Sequence, residues 1–200
     1  MTGAAQWVGS LALLLSFALI YQQSSGVALR ICALQGISAA LVAEIQAWAH
    51  AVTQIGLVAL LAAALNGAVM PLVLRYLTDR SGERLTTRAN HGVHTSVVAV
   101  VLVTISVVAA MRVRMVAEAP VLALGLSVLL LGLLLIAVGR HRDVAVFGLL
   151  SAQNGLVLSA SAVPGLPALT FLACAIPLFP GLVVAAMWLR RAGRQPAAPQ

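Results

Sequence analysis

The polar side chains inside the long apolar runs of this chain are amides and hydroxyls: Gln35 and Ser38, Gln54 and Asn66, and Ser151, Gln153 and Asn154. An amide donates and accepts hydrogen bonds but takes up and releases no proton near neutral pH. In lipid such groups either tie helices together, at roughly 0.6–2 kcal/mol per bond, or line a hydrated path; the first use is favoured here. A proton relay asks for carboxylates or histidines at depth, and the sequence puts neither there. Asp79 and Glu83 fall in the most polar connection, Asp143 at the start of an apolar run, and Glu44 and Glu118 near run ends. His50, His91 and His94 lie outside or at the ends of runs, and His141 in the turn 139–143. Cys32 and Cys174 stand singly inside runs, as small apolar residues do, with neither metal-site spacing nor a disulfide framework. No metal, cofactor or catalytic residue is expected, because cluster-binding cysteines and a soluble redox fold are both missing from the pattern.

The elements that must hold these groups are bilayer-length helices. About 20 apolar residues cross the hydrocarbon core, and seven segments approach that length: 4–22, 27–46, 52–76, 93–111, 120–138, 144–163 and 167–189. Composition agrees, with 62% apolar and 8% charged residues and a mean hydropathy of +1.04, against about 25% charged in soluble domains. The fold class expected is an all-α integral membrane bundle of about seven helices. Segments 1–76 make an N-terminal three-helix half, 77–92 a loop, 93–191 a four-helix half, and 192–200 a disordered Pro/Ala/Gln tail. The first apolar run has no basic stretch before Trp7 and no small-x-small site near 22–26, so it is expected to be retained as a span rather than removed as a signal peptide. Pro71, Pro177 and Pro180 fall within spans, where a lost backbone donor bends the helix.

Charge fixes the expected orientation. The net charge is +7, carried by arginine alone. Arg30, Arg75, Arg80, Arg84, Arg88, Arg140, Arg142, Arg190, Arg191 and Arg194 fall on one side of a seven-span layout, and Arg112 and Arg114 on the other. Basic residues are retained in cytoplasmic loops, so the N-terminus is expected outside and the C-terminus inside, in the inner (cytoplasmic) membrane. Trp7, Tyr21 and Trp188 suit the membrane interfaces. Arginines that flank apolar spans are accounted for by topology, and nucleic-acid binding is set aside.

Several stretches carry a family resemblance. Gly132 in a Leu-rich span, the turn Gly139-Arg140-His141-Arg142-Asp143, the run Gly148 to Gly155 containing Gln153-Asn154, and Leu166-Pro167 resemble the C-terminal part of hydrogenase 4 component E. That part of the family is similar to the K subunit of complex I, over 119–191 here, and to the C subunit of multisubunit sodium/proton antiporters. Ala33-Leu34-Gln35 and Leu65 to Arg75, with Asn66, resemble the family's N-terminal helices. The resemblance also shows departures. Gln153 stands where relatives carry a glutamate, Asn66 where they carry a lysine, and the acidic residues of the last span are replaced near Phe171 and Pro177.

The resemblance implies a noncatalytic subunit of a membrane oxidoreductase complex related to hydrogenase 4 and complex I. Its partners would be antiporter-like and other membrane subunits and the lipid bilayer. The alternatives are a part in proton or sodium translocation, through hydrated amides and partner residues, and an independent small permease. The intramembrane positions to watch are Gln153, Asn154, Asn66 and Gln35, and the small residues Gly148, Ala152 and Gly155 suggest a helix-packing face.

Overall fold

The computed structural model describes residues 2–22, 24–50, 72, 93–113, 118–139 and 142–163. Among them the chain is all helical. There are five long helices: α1 (Thr2–Tyr21), α2 (Ser25–Ala49), α3 (Val93–Arg112), α4 (Ala119–Val138) and α5 (Arg142–Ser161). All five are long and apolar enough to cross a membrane. They coincide with the first, second, fourth, fifth and sixth expected spans; segments 52–76, apart from Leu72, and 167–189, and with them Gln54, Asn66 and the three in-span prolines, lie outside the described residues.

The helix ends follow from local chemistry. Pro120 sits in the first turn of α4, where its missing N–H leaves no bond unmade, and Gly139 closes that helix by donating its N–H to the Leu135 carbonyl at 3.0 Å. The helix α2 outlasts the apolar run 27–46 by a turn. There Glu44 accepts a hydrogen bond from the Trp48 indole at 3.0 Å, an i,i+4 pair that supports the last turn. Inside the spans, Ser10, Ser16, Ser38, Ser106, Ser127 and Ser159 each donate to the carbonyl four residues earlier. A hydroxyl satisfied in this way costs little in an apolar surrounding.

The closest pairing is between α4 and the antiparallel α5. A Cβ built on Gly132 would fall on the backbone nitrogen of Ala152, and one built on Gly155 on that of Leu129. At Gly125 it would come within 2.5 Å of the Ser159 nitrogen, and at Gly148 within 2.8 Å of the Gly132 carbonyl oxygen. Two glycines seven residues apart on each helix thus let the backbones touch, the arrangement by which apolar helices associate without a hydrophobic driving force. The face formed by Gly148, Ala152 and Gly155 is therefore a packing face, and α4 of the same chain occupies it.

Helices α1 and α2 pair with each other and lie against α4 and α5. The interior is layered. Leu19, Ile20, Leu29, Cys32, Leu131 and Phe147 form one apolar cluster, joined by Ala99 of α3. Ala5, Ala12, Ala39, Val42, Val121, Val128, Leu158 and Ala162 form another. The first gathers the ends of α1 and α4 and the starts of α2, α3 and α5; the second gathers the starts of α1 and α4 and the ends of α2 and α5.

Outward surfaces are apolar. On α2 the residues Val27, Leu34, Leu41 and Trp48, spaced by seven, are all exposed, as are Val97, Val98, Val101, Ile105 and Val108 on α3. Continuous apolar stripes of this length on a helix exterior match a lipid surrounding rather than water.

Candidate functional site

Gln35, in the central turns of α2, is fully enclosed. A wholly buried amide requires partners, since an unmade hydrogen bond costs about 1–3 kcal/mol. Its Nε2 donates to Ser16 Oγ of α1 at 2.6 Å and to Ser151 Oγ of α5 at 3.0 Å, and approaches the Ala12 carbonyl at 3.5 Å. Ser16 in turn donates to that same Ala12 carbonyl at 3.0 Å. One side chain therefore links three helices. Its Oε1 accepts nothing from the described residues.

Asn154 follows Ser151 by one turn on α5 and is 2% exposed, and Gln153 is 4% exposed. The Asn154 Oδ1 and both amide atoms of Gln153 are buried and have no hydrogen-bond partner among the described residues. Gln35, Gln153 and Asn154 are thus buried polar positions within α2 and α5, and of the three only Gln35 is tied to its neighbours by described bonds. Asn66 lies outside the described residues. Ser151 and Gln153 are two positions apart and point to different sides of α5, so Gln153 does not belong to the Gln35 link.

A second polar cluster forms at the bundle end where α2 stops and α4 begins. Gln46 is buried, and its Nε2 donates to Glu118 Oε2 at 2.6 Å. Glu118 is the residue just before α4, placing its carboxylate at the positive end of that helix. The other oxygen, Oε1, is 3.5 Å from His50 Nε2, a proximity without hydrogen-bond geometry. The Glu118 backbone N–H donates to the Ala162 carbonyl at 2.9 Å, so this residue ties the ends of α2 and α5 to the start of α4. Spacing along the sequence gave no sign of this cluster, because its members meet only through the antiparallel packing.

Among the described residues no group of three or more histidine, cysteine or carboxylate side chains is placed to hold a metal ion. The deep polar groups there are hydrogen-bonding amides and hydroxyls. Their arrangement can join helices and orient water; it offers no nucleophile with a base beside it. No family model, curated protein or solved structure matches this chain.

Proposed function

We propose that this chain is a noncatalytic, multi-pass subunit of a membrane complex related to hydrogenase 4 and complex I, packing against antiporter-like subunits. The observation that carries the noncatalytic part is Gln35: the deepest bonded polar side chain among the described residues is spent on holding α1, α2 and α5 together. The apolar outer stripes of α2 and α3 suit lipid and neighbouring helices alike. The kind of complex rests on the residues quoted for the family resemblance. Seven spans, an external N-terminus and residence in the inner membrane belong to the same proposal. The opposite bundle ends at which α2 stops and α3 starts support an odd number of crossings between them.

Co-expression with the neighbouring membrane subunits tests this reading. The chain should be degraded or poorly folded when produced alone and should co-purify with larger antiporter-like subunits when they are present. Gln153→Ala should alter the amount of assembled complex more than the turnover of each complex. A monodisperse chain that carries a solute across liposomes by itself would overturn the proposal and favour a small permease.

One observation favours a second reading. The unpaired amide atoms of Gln35, Gln153 and Asn154 suit a chain that contributes hydrated amides to proton or sodium movement while partners supply the titratable groups. Loss of ion translocation in fully assembled Gln153→Ala complexes, with electron transfer intact, would make that the better account.

A further inference from the structure

We propose that Gln35, Ser151 and Asn154 hold ordered water within the bundle, sealed from both membrane faces by the two apolar clusters. This holds whichever assembly the chain joins.

The argument starts from hydrogen-bond capacity. An amide has two donor hydrogens and an acceptor oxygen. The two serines engage Gln35 Nε2, leaving Oε1 buried and unpaired. Turning the amide end for end would only exchange the unpaired atom, since the serines meet one end of the group in either orientation. Ser151 Oγ accepts a hydrogen bond from Gln35 Nε2, and its own hydroxyl hydrogen has no acceptor among the described residues. Asn154 Oδ1, one turn along the same helix, is a second buried acceptor with no partner among the described residues. Two acceptors and one hydroxyl donor complement water, which brings two of each function, and buried waters make about three such bonds.

The seal follows from what flanks the polar layer on each helix. On α2, Gln35 stands between Cys32 and Ala39; on α1, Ser16 stands between Ala12 and Leu19; on α5, Ser151 and Asn154 stand between Phe147 and Leu158. All six flanking residues are buried members of the apolar clusters, with Cys32, Leu19 and Phe147 on one side and Ala12, Ala39 and Leu158 on the other. Water in this layer touches protein above and below, and reaches bulk only when the packing opens.

Solid-state NMR of the full chain in lipid bilayers, with glutamine side chains labelled with nitrogen-15, tests both halves. With carbon-13 labelling as well, the Gln35 side chain is assigned through its own backbone signals, which sequential correlations to Leu34 and Gly36 separate from those of the other eight glutamines. Polarisation should pass from water to the Gln35 amide protons, and these should exchange with deuterated buffer far more slowly than those of Gln22 at the helix end. The water signal should be lost in the Ser151→Ala, Asn154→Leu double variant. A wild-type Gln35 amide that receives no polarisation from water overturns the proposal by showing a dry site. Exchange as fast as at Gln22 overturns the seal and shows an open path. Neither result bears on co-purification with partner subunits, so the two proposals fail separately.

Discussion

Gln46 Nε2 lies 2.6 Å from Glu118 Oε2, a bond that crosses from the last turns of α2 to the first residue before α4. The donor is buried and the acceptor carboxylate is 22% exposed, so the bond is partly shielded from solvent and closes the bundle at one end.

Removing that bond should weaken the fold measurably. Hydrogen bonds to a charged group contribute about 1.5–3 kcal/mol, and Gln46→Leu or Glu118→Ala should each lower the unfolding midpoint in detergent. The double variant should cost less than the two losses combined. His50→Ala should cost less than either, because its contact with Glu118 lacks hydrogen-bond geometry. Equal losses for all three residues would place the energy elsewhere.

The glycines of the α4–α5 contact should tolerate no side chain. Gly132→Leu and Gly155→Leu drive carbon into the opposing backbone, and overpacking of this kind costs about 1–3 kcal/mol or more. Gly3 and Gly26 have nothing within 4 Å of an added Cβ, so Gly3→Ala and Gly26→Ala should leave stability unchanged or slightly raised. Thermal unfolding of the four variants in one detergent compares them directly.

Gln35→Leu should separate α1, α2 and α5 energetically, with a loss near the roughly 0.6–2 kcal/mol expected of each interhelical bond. Ser16→Ala and Ser151→Ala should each show part of that loss. In the Gln35→Leu background the two serine changes should have little further effect. A double-mutant cycle with no coupling would remove Gln35 from its role as the link.

Orientation is open to cysteine labelling in a background with Cys32 and Cys174 replaced by alanine. With the N-terminus outside, Gly3→Cys and Gly165→Cys should react with an impermeant reagent in intact cells, and Ser24→Cys and Ser81→Cys should be protected. The reversed pattern would invert the topology.

The spans of the described helices were legible because 20 consecutive apolar residues leave few alternatives. Gln35 was legible as a buried polar residue for the same reason: it interrupts such a run. Its partners were not. Ser16 and Ser151 are 19 and 116 residues away along the chain, and only the packing of α1 and α5 against α2 brings them to it. Gln46 and Glu118, read from position alone, belong to run ends; the packing of α2 and α4 on their shared neighbours α1 and α5 brings the end of one to the start of the other. The glycines of α5 were visible as a small-residue face, but a periodic pattern does not say which helix will fill it.

The backbone contact between α4 and α5 also sets an order of assembly. Only the two residues 140 and 141 separate the Gly139 cap from Arg142, so this pair can close as soon as both helices have entered the bilayer, with almost no chain to loop out. The link from Gln35 to Ser151 instead spans 116 residues and must wait for α5 to be made. Helices α1 and α2, paired with each other, would then gain their polar link to α5 only when the finished α4–α5 hairpin arrives.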